Sequence, residues 1–231
     1  MLIYIPDAPP PWGKFGLLTT LSTPRWRKSR HVLIDIGLRA ALASTDVADK
    51  LLEFTKKVLR SVKPEVAVVV IPDVACDAEK TYRNFAAYAD KFRNLGVKTL
   101  YVAHQFWLKR GEELSQAADA DIIGIPMRIQ CETHCAKRPE ICAARFLEYA
   151  KRENRELHLL GPAKRTLVEI RNMGALHKVR SFDTAAYRRA PNSRAKNMLN
   201  GKWQVTKDVL HVWLAEWLCP AIEQACLYTS T

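Results

Sequence analysis

Asp35, Asp73, Gln105 and Asp183 each stand at or just past the end of a short apolar run. Carboxylates gathered in one pocket can serve as nucleophile, general acid or base, or metal ligand. An amide beside them can both donate and accept hydrogen bonds. The runs are His31–Asp35, 66–73 and 100–105, followed by 121–124, 157–161 and 179–183. If they are parallel strands of one barrel or open sheet, all their C-terminal ends lie on one face, and these side chains converge there however far apart they are in sequence.

Taken one at a time, each residue has an ordinary reading. Asp183 could cap the next helix, and so could Asp73, although Asp77 is better placed to do it. Asp35 precedes Ile36-Gly37, where a turn-forming aspartate is common. Gln105, before Phe106-Trp107, fits a surface loop equally well.

The segments between the runs carry helical periodicity. A helix is predicted over 45–61, with Ser44 or Thr45 as N-cap. Another is predicted over 78–95, capped by Asp77 and closed by Gly96 in the left-handed conformation. Further helices are expected over 140–153, over 163–173 ending at Gly174, and over about 206–226. The last has Leu210, Trp213, Leu214 and Trp217 on one face. Apolar strands alternating with amphipathic helices indicate a parallel sheet covered by helices. No Gly-x-Gly-x-x-Gly follows the first strand, and Gly161-Pro-Ala does not form a phosphate loop. Chemistry-bearing residues end nearly every strand instead of clustering at one crevice, which favours closure. The expectation is one α/β domain over 1–231, a compact and irregular TIM-type (β/α)8 barrel. Six strands are clear, Leu2–Ile5 is a seventh, and the eighth is missing or irregular. Residues 6–30 read as an irregular N-terminal excursion.

In order, the strand ends resemble the tRNA-guanine transglycosylase superfamily, whose barrels exchange guanine for a 7-deazaguanine. That family's motifs run Asp-Ser-Gly-Gly, Phe-Asp-Glu, Gln-Gly, a glycine strand, His-Tyr-Leu-Met-Gly and Phe-Asp-Cys. Their counterparts here are Asp35-Ile-Gly37, Pro72-Asp73, His104-Gln105, Ile123-Gly124, His158-Leu-Leu-Gly161 and Phe182-Asp183-Thr184. The resemblance spans about residues 31–190 and implies roles. Asp183 would be the nucleophile that forms a covalent sugar ester, and Asp35 the proton-handling carboxylate. Asp73, Gln105, Gly124, His158 and Gly161 would bind a guanine-like base. No cofactor is implied for the reaction.

The departures are also informative. Asp-Ser-Gly-Gly is reduced to Asp35-Ile-Gly37, Phe-Asp-Glu becomes Ile71-Pro72-Asp73, and Ala185-Ala-Tyr-Arg-Arg189 stands where Pro-Thr-Arg is expected past the nucleophile. The family's Cys-x-Cys-x-x-Cys zinc site is not recognisable, since only Cys219 and Cys226 stand in that region. These losses resemble the short relatives that insert 7-deazaguanines into DNA. Elsewhere, Cys131, His134, Cys135 and Cys142 offer three thiols and an imidazole that could hold zinc, although Cys131 and Cys142 could equally form a disulfide or stay free.

The composition fits such a partner. Thirty-six Lys and Arg against 24 Asp and Glu leave a formal charge of +12, which suits a polyanion, because each neutralised phosphate releases counterions. A solvated basic surface is the plainer reading of the same excess. Arg188, Arg189, Arg194 and Lys196 follow Asp183 directly, so a loop on the catalytic face would grip phosphate beside the nucleophile. No run approaches the roughly 18 apolar residues that cross a bilayer. The N-terminus lacks the features of a signal peptide, so a cytoplasmic location and no membrane partner are expected. Six cysteines are too sparse for a small disulfide scaffold, and a core of this size does not need one. Two other readings use the same residues: a non-catalytic nucleic-acid-binding barrel and a metal-dependent hydrolase.

Overall fold

The computed structural model describes residues 1–5, 15–22, 24–37, 46–127, 139–183, 198–199 and 202–203. Eight parallel strands close into a barrel in sequence order. They are β1 Leu2–Ile5, β2 Phe15–Thr20, β3 His31–Asp35, β4 Val66–Val70, β5 Lys98–Val102, β6 Ile122–Pro126, β7 Glu156–Leu160 and β8 Val179–Asp183. The helices between them are α1 Val47–Val62, α2 Ala78–Arg93, α3 Lys109–Ala117, α4 Pro139–Arg152 and α5 Lys164–Asn172. A short antiparallel pair, β9 Met198–Leu199 and β10 Lys202–Trp203, lies outside the barrel sheet. Among the described residues no helix is long and apolar enough to cross a membrane.

The expected barrel is therefore the fold, and the eighth strand is regular. It lies in the N-terminal stretch read as an irregular excursion, where β2 pairs with β1 and β3 in continuous register. Its pattern, Phe-Gly-Leu-Leu-Thr-Thr, hides the strand because the inward-facing Gly16 carries no side chain. A Cβ there would stand 2.6 Å from the Tyr4 ring, so the glycine makes room for that ring. Residues 206–226, where the final helix was expected, lie outside the described residues.

Strand alternation divides the core in two. Outward residues such as Ile5, Val32, Ile34, Val69, Ile123 and Phe182 pack under Leu51, Phe54, Phe85, Phe92 and Phe146 of the helices. Inward residues Tyr4, Leu33, Val68, Val70, Leu100, Val102 and Ile122 fill the barrel, with Leu2, Leu18 and Leu160 against them. The floor is charged: Glu156 pairs with Arg180 and lies 3.7 Å from Lys98. This leaves the polar inward positions at the opposite, C-terminal mouth.

Several terminators follow the sequence. The Asp77 carboxylate accepts from the Lys80 N–H at 2.9 Å and caps α2, while Gly96 and Gly174 are left-handed at φ 76° and 70°. The N-cap of α1 is Asp46, one residue past Thr45; it makes no side-chain cap bond and pairs instead with Lys50 at 3.0 Å. Helix α3 was not expected. It contains Gly111 and few apolar residues; a Cβ at Gly111 would stand 2.1 Å from the Gln105 carbonyl oxygen, so the glycine lets the helix lie against that turn.

A buried polar network stitches α3, α4 and the approach to β7. Glu153 accepts from Arg155 Nε at 2.9 Å, from Arg155 Nη2 at 2.8 Å and from the Tyr149 hydroxyl at 3.0 Å. Arg155 also donates to the Ser115 carbonyl at 2.8 Å and to that of Ala118. Glu153→Ala removes the acceptor of two donors that remain buried or partly buried. It is expected to lower unfolding free energy by about 2–3 kcal/mol, less than a fully dry pair because Arg155 is partly solvated. Urea denaturation checks this; a loss under about 0.5 kcal/mol would contradict it.

Candidate active site

Each site residue is placed by its strand end. Asp35 closes β3, two residues beyond the inward Leu33, so it faces the mouth. The Ile36 N–H donates to its Oδ1 at 2.7 Å. The turn beyond is tied to the end of β2, with Leu21 N–H donating to the Asp35 carbonyl and Ser22 N–H to that of Ile36. Gly37 is left-handed at φ 74°, and a Cβ on it would meet Ser22 Oγ at 2.2 Å, so only glycine fits.

Asp73 lies in the turn after β4. That turn is held by Asn84 Nδ2 donating to the Pro72 carbonyl at 3.0 Å and by the Val74 N–H donating to Thr81 Oγ1 at 3.0 Å. Its Oδ2 is 2.7 Å from Nε2 of His104, which is fully buried. His104 Nδ1 is buried with no partner among the described residues. That places the ring proton on Nε2, where it donates to Asp73, and leaves the orphaned nitrogen as a bare lone pair.

Asp183 closes β8. Its Oδ1 accepts from the Gly161 N–H at 3.0 Å and lies 3.3 Å from His158 Nε2. Gly161, just past the end of β7, is left-handed at φ 57°. His158 is buried, and its Nδ1 meets Ser181 Oγ at 2.9 Å. Tyr4 lies below, its ring centroid 6.0 Å from that of His158. Burial pushes the Tyr4 phenol up to about 12, with the Arg180 charge opposing.

The three carboxylates feel one another. Asp35 is pushed from 3.8 up to about 7, first by burial and then by the charges of Asp73 and Asp183; the N–H groups of Ile36 and Gly37 oppose the shift. The side chains of Asp73 and Asp183 are 20% and 19% exposed, against 0% and 1% for His104 and His158. The acids therefore face the mouth while their histidines are sealed behind them. One acid that holds a proton near neutrality, beside two carboxylates supported by donors, is a set able to run nucleophilic and acid–base steps together.

The other residues singled out by sequence fall as follows. Gln105 is half-buried at φ 55°, a left-handed conformation unusual for a residue with a side chain, and its carbonyl accepts from the Leu108 N–H. Gly124 lies inside β6, where a Cβ would strike Leu100 Cδ2 at 2.5 Å and Leu160 Cδ1 at 2.9 Å; its carbonyl accepts from the Ala103 N–H. Arg188, Arg189, Arg194 and Lys196 lie outside the described residues, as do Cys131, His134 and Cys135. Cys142, in the first turn of α4, is disulfide-bonded and so offers no thiolate to the zinc set considered above; Cys76, left-handed in the turn before α2, is disulfide-bonded too. Among the described residues no three His, Cys, Asp or Glu side chains gather closely enough to hold a metal ion.

Sequence reasoning gave no role to His104, Ser181 or Tyr4. Period-two alternation was the available signal, since His104 is two residues past the inward Val102 and Ser181 two before Asp183. Set against models of protein families, curated proteins and solved structures, the chain finds no match.

Proposed function

We propose that the protein is a transglycosylase that exchanges guanine for a 7-deazaguanine in nucleic acid, DNA in preference to tRNA, through a covalent ester on Asp183. The observation that carries this reading is the trio at the barrel mouth: Asp183 with two donors on one oxygen, Asp73 tied to His104, and Asp35 raised to about 7 between them. The Asp183 carboxylate attacks the anomeric carbon, the bond from sugar to guanine nitrogen breaks, and the proton on Asp35 goes to the departing base. Asp35, now ionised, takes the proton of the incoming base, whose nitrogen attacks the same carbon and releases Asp183. A carboxylate pair that divides one displacement into two works by the logic of retaining glycosidases.

Asp73 supplies the acceptor for the N1–H and amino group of a guanine-like ring, and Gln105 lies one residue past its histidine partner. Adenine lacks the N1–H and 2-amino donors, so Asp73 would keep its bond to His104 but find no donor on the base. The excess of cationic residues supports a polyanionic acceptor.

Incorporation of labelled guanine or 7-deazaguanine into DNA and into tRNA by the purified protein tests the reading. Asp73→Ala should raise KM for the base by about 10–100-fold, the cost of one unpaired polar edge, with a smaller effect on kcat. No incorporation into either nucleic acid would overturn the reading.

A further inference from the structure

Ser181, His158 and Asp183 form one hydrogen-bonded chain, 2.9 Å from Ser181 Oγ to Nδ1 and 3.3 Å from Nε2 to Asp183 Oδ1. The same three residue types make hydrolytic triads, but here the order in space is inverted. Ser181 is the sealed end, 2% exposed, and the carboxylate is the end that opens to the mouth. Ser181 therefore meets no substrate, and whatever it does it does through His158.

The chain exists because of an irregularity in the sheet. Leu157 pairs with Val179, but the next residue, His158, pairs with Ser181, so Arg180 is passed over. Arg180 turns to Glu156 at the floor. The one-residue slip sets Ser181 level with His158, and Asp183 follows two residues on, on the same face, roughly 6–7 Å further along the strand. One imidazole with a hydrogen bond at each nitrogen spans that separation. A strand in unbroken register would set Arg180 opposite His158 and break the chain.

We propose that Ser181 is a positioning residue which, through the tautomer of His158, selects the oxygen of Asp183 that reacts. Among the described residues the Ser181 hydroxyl has no second partner, so its single hydrogen goes to Nδ1. Nδ1 is then a lone pair, the ring proton sits on Nε2, and Nε2 donates to Asp183 Oδ1. The Gly161 N–H donates to that same oxygen. Oδ1 is thereby held and drained of electron density by two donors, while Oδ2 has no partner among the described residues and is the oxygen that attacks. The choice of reacting oxygen rests on the transglycosylase reading; the tautomer does not.

Two measurements on the full-length protein test this. In ¹⁵N NMR of wild-type protein, His158 should show an unprotonated Nδ1 and a protonated Nε2 near neutral pH. In the exchange assay, Ser181→Ala should lower kcat by about 3–10-fold with KM for the base unchanged, and Ser181→Thr, which keeps the hydroxyl, should restore most of it. A protonated Nδ1 in the wild type would overturn the proposal. So would full kcat in Ser181→Ala, or a loss in Ser181→Thr as large as in Ser181→Ala. A wild-type protein that exchanges no base would defeat the transglycosylase reading and the choice of oxygen, while the NMR result still decides the tautomer.

Discussion

Asp183→Asn is expected to reduce base exchange by about 10⁴-fold or more, the scale of loss when a covalent nucleophile is removed. The fold should survive, because an amide oxygen at this position still accepts from the Gly161 N–H and from His158 Nε2. What is lost is the negative oxygen that forms the bond to the sugar. The two half-reactions must fail together, since the second begins from the ester the first creates. Base binding should be kept, because Asp73, His104 and Gln105 are untouched; equilibrium binding of guanine within about 3-fold of wild type would show that the loss is chemical. Exchange at more than a hundredth of the wild-type rate would remove Asp183 from the nucleophile role.

Asp35→Asn is expected to act on rate, pH profile and stability at once. In the wild type, ester formation needs protonated Asp35 and should fall about tenfold per pH unit above its pKa of about 7; resolution of the ester needs the ionised form and should fall likewise below it. Complete exchange is then bell-shaped around neutrality. The amide can neither give nor take the proton, so each half-reaction should slow by about 10²–10⁴-fold and lose its dependence on pH between 6 and 8.

Stability should move in the opposite direction. Folding raises Asp35 from 3.8 to about 7, so between those values the folded protein binds a proton the unfolded chain does not. The contribution is fully present below the lower value and is lost as pH rises through the upper one. Asparagine carries no such cost, so Asp35→Asn should gain about 2–4 kcal/mol over wild type at pH 8 and nothing at pH 3.5 or below. Chemical denaturation at the two pH values reads the difference. An equal effect at both would mean that Asp35 is not held as an acid by its surroundings.

The parts of this site visible in the sequence are those that need only a strand end. Asp35 and Asp183 close apolar runs, and a parallel barrel brings such ends together whatever loops lie between. Strand β2 was hidden because Gly16 contributes no side chain to the alternation, its place being taken by the Tyr4 ring from the neighbouring strand. Helix α3 was hidden because it carries few apolar residues and a glycine, Gly111, where the chain passes close to Gln105.

Partnerships were less legible than positions. That His158 reaches Asp183 and Ser181 depends on a slip in register between β7 and β8, which no single-strand pattern encodes. His104 reads as one more residue beside Gln105 until the turn after β4 sets Asp73 against it. The state of Cys142 likewise depends on which residues the fold brings to it, and spacing along the chain left zinc, disulfide and free thiol open.

The central claim is a covalent bond between Asp183 and the sugar of a nucleic acid. It is tested most directly by incubating the protein with DNA or tRNA, denaturing the mixture, and mapping any protein–nucleic acid adduct by mass spectrometry of the digested protein. The expected result is an adduct on Asp183 that is absent in Asp183→Asn and is discharged when a 7-deazaguanine is added before denaturation. Exchange that proceeds with no adduct, or with the adduct on Asp35 or Asp73, would contradict the account.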